Sequence, residues 1–148
     1  MKIRKGQIED LAALVNFNQA MAMETENLTL DQQTLTRGVN GLLAHPERGF
    51  YLVAEVEGEI VGSLMVTFEW SDWRACQYYW IQSVYIRPQN RRQGIYAKLY
   101  QAVKDIAAKN QDAASYRLYV EQENEPAQKT YNALGMKQSH YLMFEEKA

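Results

Sequence analysis

Arg87, Arg91 and Arg92 stand close to Gly94 in the stretch 86–96, which joins an apolar run to an amphipathic one. Upstream, residues 80–86 are rich in aromatic and β-branched side chains and read as a strand. Downstream, Ile95, Leu99, Val103 and Ile106 recur at helical spacing, which predicts a helix from Gln93 to about residue 108. N–H groups at a helix start lack intrahelical acceptors and bind anions, and glycine lets a ligand approach the backbone closely. The chemistry this junction suits is phosphate binding.

The remaining elements must hold that junction in place. Residues 2–5 read as a first strand, and Ile8, Leu11, Leu14, Val15 and Asn18 share a face of a helix over 8–23. Asp31 is an N-cap for a second helix whose apolar side is Leu35, Val39, Leu42 and Leu43, ended by the proline and glycine of 45–49. Strands follow at 50–56, 60–70 and 75–86, the first two joined at Glu57-Gly58. After the central helix come a strand at 116–120, a helix at 125–134 and a last strand at 140–144. For that helix Asn124 is the cap, Pro126 lies in the first turn and Gly135 is the stop. The fold class is α/β, a mixed and mostly antiparallel central sheet flanked by helices, not a doubly wound dinucleotide fold.

The chain has 148 residues, which suits one domain, 1–148, with a sizeable core. Its net charge of −2 argues against a nucleic-acid track, and Arg87, Arg91 and Arg92 form only a small local patch. One cysteine, Cys76, excludes an internal disulfide and a thiolate zinc site, and fits a reduced, cytoplasmic setting. It is expected in a loop. No metal-ligand spacing surrounds His45 or His140, and no apolar run is long enough for a membrane span.

Arg91-Arg92-Gln93-Gly94-Ile95-Tyr96 resembles the phosphate-binding signature of the GNAT superfamily of N-acetyltransferases, Gln/Arg-x-x-Gly-x-Gly/Ala. It departs at Tyr96, where the family prefers a small residue. Residues 124–136 resemble the family's Asn-x-x-Ala-x-x-x-Tyr-x-x-x-Gly-Phe/Met run through Asn124, Ala127, Tyr131, Gly135 and Met136. The element order is similar over nearly the whole length.

The resemblance implies a GNAT-like acyl-CoA N-acyltransferase fold with acetyl-CoA as co-substrate and no metal. The pyrophosphate would lie on the N–H groups of Arg92, Gln93, Gly94, Ile95, Tyr96 and Ala97, with Arg91 or Arg92 adding a charge-assisted contact. Val84, Tyr85 and Ile86 would pair with the pantetheine arm as an added strand, and Asn124 would bind the arm or a water. Tyr131 would protonate the departing thiolate. A phenol near pKa 10 and a thiol near 8.5 make complete transfer uphill by roughly 2 kcal/mol, which favours a stabilising hydrogen bond.

Some family members carry a glutamate on the strand before the motif; the matching residue here is Gln82, which cannot act as a base. Glu69 is the replacement candidate and Glu121 a second. Tyr78, Tyr79, Trp80 and Tyr85, with Trp70 and Trp73, are sheet packing or acceptor-pocket lining, and Glu24 and Glu26 either border the acceptor or form a solvated helix end. The expected acceptor is a small primary amine. The alternatives are a protein or peptide acceptor, and a non-catalytic acyl-CoA-binding or sensing domain. Exposed strand edges allow a homodimer.

Overall fold

In the computed structural model, which describes residues 1–148, one compact unit spans Met1–Leu118 and a second Tyr119–Ala148. The first unit carries β1 (Lys2–Lys5), β2 (Gly49–Val56), β3 (Glu59–Ser71), β4 (Cys76–Ile86) and β5 (Ala113–Arg117). Their spatial order equals their chain order, antiparallel except that β5 runs parallel to β4. The turn between β2 and β3 closes because Glu57 and Gly58 both adopt positive φ, 50° and 80°, as a two-residue hairpin turn requires. A parallel neighbour needs a crossover, and the helix α3 (Ile95–Asn110) supplies it.

Alternate residues of a strand face opposite sides, and here the two sides are covered by different helices. Tyr51 and Val53 meet Leu14 and Val15 of α1 (Leu11–Glu26) and Val39 and Leu42 of α2 (Gln32–Leu43). Asp31 caps α2 by accepting from the Thr34 N–H at 2.9 Å. The other face carries Leu52, Leu64 and Val66, all fully buried. On it the aromatic rings run edge to face from Tyr100 of α3 through Tyr116 and Tyr79 to Phe68. Each fully buried leucine contributes about 2 kcal/mol of apolar burial.

A polar cluster pins the N-terminus. Arg4 donates to both oxygens of buried Asp10, at 2.8 and 3.0 Å, and to Glu55 at 3.1 Å, while the Gln7 N–H reaches Asp10 at 2.7 Å. These bonds, the Arg4 guanidinium first, hold the Asp10 carboxyl below its ordinary range.

The second unit contains α4 (Glu125–Ala133). Asn124 caps it by accepting from the Ala127 N–H at 3.2 Å, and Gly135, at φ 98°, follows its end. The expected strand at 140–144 does not form: Tyr141, Leu142, Met143 and Phe144 are exposed and join no ladder. Four further expectations shift. A single 3-10 turn, Ile8–Asp10, precedes α1, leaving Ile8 exposed, and α1 runs on to Glu26. Asn18 turns its amide onto the Leu14 carbonyl rather than packing as an apolar residue. The fifth strand lies at Ala113–Arg117, not 116–120, because pairing with Gln77–Trp80 sets its position. Cys76 opens β4 opposite Ser71 instead of lying in the loop.

No helix is long and apolar enough to cross a membrane.

Candidate functional site

The middle of β4 is irregular. Gln82 pairs with Met65 but Tyr85 with Ser63, so the register slips by one residue. The slip is a bulge at Ser83, whose φ of 51° lies in the left-handed region. An extra residue changes the phase of the pleat. Gln82 and Tyr85 therefore share the face covered by α1, where the Tyr85 ring lies 5.1 Å from that of Phe17.

The bulge also marks where β4 loses a neighbour. β5 pairs only with Gln77–Trp80, leaving residues 81–86 without a partner strand on that side. Unpaired backbone groups on a strand edge are a template for an extended ligand. Val84, Tyr85 and Ile86 lie on this open stretch.

Beyond Ile86 a single 3-10 turn, Pro88–Asn90, leads to the turn at 91–94. Arg92 and Gly94 both adopt positive φ, 62° and 77°. Gly94 is the N-cap of α3 and offers no side-chain cap. The first hydrogen bond of the helix is from Lys98 N–H to the Gly94 carbonyl at 3.2 Å, so the N–H groups of the preceding turn point out of the helix start. A Cβ built on Gly94 meets nothing within 4 Å, so the backbone is open to an approaching group. At Gly62 the reverse holds: a Cβ would come within 2.6 Å of the Ile86 side chain and 3.5 Å of Ile95. That glycine lets β3, the end of β4 and the start of α3 close together.

Tyr96, the departure from the family pattern, is half-buried and stacks on Tyr100 one helical turn on, centroids 6.2 Å apart and planes 3° apart. Its ring runs along the flank of α3. Arg91 is engaged within the protein: its Nε donates to the Ile86 carbonyl and its Nη2 to Glu24, each at 2.8 Å. Arg87 pairs with Glu59 at 3.1 Å. Arg92 makes neither kind of bond and is exposed.

Glu69 lies further along the α1 face of the sheet. Its Oε1 accepts from Trp80 Nε1 at 2.7 Å and from Arg117 at 3.4 Å. The Arg117 guanidinium lies 3.5 Å from the centre of the Tyr78 ring. Bonding to Ser71, with Arg74 and Arg117 nearby, pulls the Tyr78 phenol below its usual value. Gln82 donates to Thr67 Oγ1 at 2.6 Å. Glu69 pairs with Tyr78, five residues before Ser83, so it lies roughly 16 Å along the strand from the bulge. A base must reach its proton within hydrogen-bond distance or through one water, and this separation opposes that role if acyl transfer occurs at the bulge.

Asn124 and Tyr131 belong to the second unit, Asn124 at the cap of α4 and Tyr131 within it. Tyr131 is half-buried, and burial raises its phenol above 10. Glu121, in the same unit, lends its carbonyl to the Gln128 amide.

Three features escaped the sequence reading: the Ser83 bulge, Arg117 against Glu69, and Glu24 against Arg91. No local pattern marks a serine for positive φ, and each of the two pairs joins residues far apart in the chain. No group of three His, Cys, Asp or Glu residues is placed to hold a metal ion.

A model of the acetyltransferase (GNAT) family matches residues 12–136, a span that enters both units. No curated protein matches the sequence. Among solved structures, a possible acetyltransferase from Clostridium difficile 630 is similar at 41% identity and TM-score 0.93, covering 99% of this chain and 97% of that one. A predicted acetyltransferase with acetyl-CoA from Clostridium acetobutylicum shares 18% identity at TM-score 0.77, with 97% and 95% covered. An aminoglycoside N-acetyltransferase in complex with CoA shares 17% identity at TM-score 0.77, with 99% of each chain covered. The last two likenesses concern the fold.

Proposed function

Because this chain belongs to the acetyltransferase (GNAT) family, we propose that it transfers an acetyl group from acetyl-CoA directly to the primary amine of a small molecule, residues 1–148 working as one cytoplasmic domain. The observation that carries the reading is the open stretch of β4, residues 81–86, running into the glycine turn at the start of α3.

That arrangement suits a ligand with an extended amide arm and a pyrophosphate. The arm pairs with the backbone of Val84, Tyr85 and Ile86. The anion lies on the N–H groups of Arg92, Gln93, Gly94, Ile95, Tyr96 and Ala97, where a helix start is worth about 0.3–1 kcal/mol to a negative charge. Arg92 supplies the free cation, since Arg91 is bound to Glu24 and Ile86. The coenzyme brings the acetyl group as an activated thioester. Asn124 holds the arm or a water beside it.

Tyr131 stabilises the departing thiolate by a hydrogen bond. Its raised pKa keeps the phenol protonated and makes complete proton transfer less favourable still. Glu69, held by Trp80 and Arg117, binds the acceptor rather than taking its proton, which passes to water as the C–N bond forms and the C–S bond breaks.

Calorimetric titration with acetyl-CoA, followed by thiol release across a panel of small amines and peptides, tests the reading. Absence of binding at high micromolar acetyl-CoA would sink it. Thiol release with peptides alone would replace the small-molecule acceptor by a protein one, and binding without release would leave an acyl-CoA sensor.

A further inference from the structure

Glu24, at the end of α1, touches two parts of the site at once. Its Oε2 accepts from Arg91 Nη2 at 2.8 Å, and its Oε1 accepts from the Tyr85 hydroxyl at 3.2 Å. Arg91 is held at its other end too, its Nε on the Ile86 carbonyl at 2.8 Å. A planar guanidinium fixed at both ends has little freedom left. The Arg91 guanidinium also lies 5.4 Å from the centre of the Tyr85 ring. Burial first, then the Glu24 charge and bond, raises the Tyr85 phenol, so it stays a donor.

The next residue, Arg92, has φ 62°, a conformation that side-chain-bearing residues adopt only where surrounding contacts hold them. The contacts at hand are those of Arg91. From this geometry we infer that Glu24 is a positioning residue for the anion-binding turn. Through Arg91 it ties residues 91–94 to the end of β4 and holds the α3 N–H groups in place for the phosphates before they arrive.

The inference rests on the acetyl-CoA reading for its ligand, and it makes an unusual demand. A carboxylate beside an anion site should weaken anion binding by charge alone, so its removal should tighten binding. Positioning demands the opposite.

The experiment compares wild type, Glu24→Ala, Glu24→Gln, Arg91→Ala and the double variant Glu24→Ala/Arg91→Ala in the full chain. Acetyl-CoA affinity is measured by calorimetry, KM for each substrate and kcat by thiol release. Glu24→Ala should raise the acetyl-CoA Kd and KM about tenfold and change kcat and the amine KM less than twofold. Glu24→Gln, which keeps one of the two acceptor oxygens and loses the charge, should recover part of the loss. The double variant should be no worse than Arg91→Ala, as expected for residues acting through one bond. Unchanged or tighter binding would overturn the inference.

Amide hydrogen exchange without ligand separates this from the wider reading. Exchange of residues 91–97 should quicken at least severalfold in Glu24→Ala. If wild type binds no acetyl-CoA, the proposed function fails, and this exchange alone decides whether Glu24 orders the turn: equal rates in the two proteins would refute it.

Discussion

The indole of Trp80 donates its Nε1–H to Glu69 Oε1 at 2.7 Å, across the ladder between β4 and β3. With Arg117 on the same oxygen at 3.4 Å, the carboxylate is fixed on the sheet beside the aromatic rings of Tyr78 and Trp80. Under the proposed function, this carboxylate binds the acceptor rather than removing its proton.

Replacing Glu69 therefore tests its role directly. Glu69→Gln should raise the amine KM about three- to tenfold and leave the shape of the pH profile of kcat/KM unchanged. Disappearance of the acidic limb of that profile would make Glu69 the base after all.

Tyr131→Phe removes the hydroxyl and little else. Turnover should fall about 10- to 100-fold, with acetyl-CoA affinity within twofold of wild type. Burial raises the Tyr131 pKa, so the donor form persists at every pH below 10 and its loss can appear only above that value. A basic limb assigned to Tyr131 near neutral pH would contradict this.

Gly94 serves two needs at once, a φ of 77° and an open backbone. Alanine strains the first, costing about 1 kcal/mol of stability in urea melts. It also narrows the second, and acetyl-CoA affinity measured by calorimetry should fall at least tenfold. Stability loss without affinity loss would separate the glycine from the ligand.

Asp10 makes a pH prediction of definite sign. Its folded pKa lies below the unfolded value, so its stabilisation is complete above about pH 4 and is lost as pH falls through the folded pKa. Asp10→Asn should cost about 2 kcal/mol at pH 7, because Arg4 loses a buried charged partner. The gap between the proteins, read from urea melts, should shrink below pH 4. A gap constant from pH 7 to 3 would assign the cost to packing rather than charge.

What the amino-acid sequence determined by itself was the local geometry. Asn124, Pro126 and Gly135 announce α4, Glu57-Gly58 the hairpin and Asp31 the start of α2, because a cap or a turn depends on residues within one helical turn of each other. The glycine turn at the head of α3 was legible for the same reason, though its first helical residue is Ile95 because Gly94 takes the left-handed conformation. Tertiary structure alone decided everything that depends on partners far along the chain. The fifth strand sits where β4 pairs with it, and the apolar run at 140–144 forms no strand, because strand content becomes a strand only when a neighbour supplies a ladder. The bulge at Ser83 emerges from the slipped pairing of β4 with β3. Glu24 meets Arg91 across 67 residues of sequence, because α1 packs over the end of β4 and carries its carboxylate to the turn.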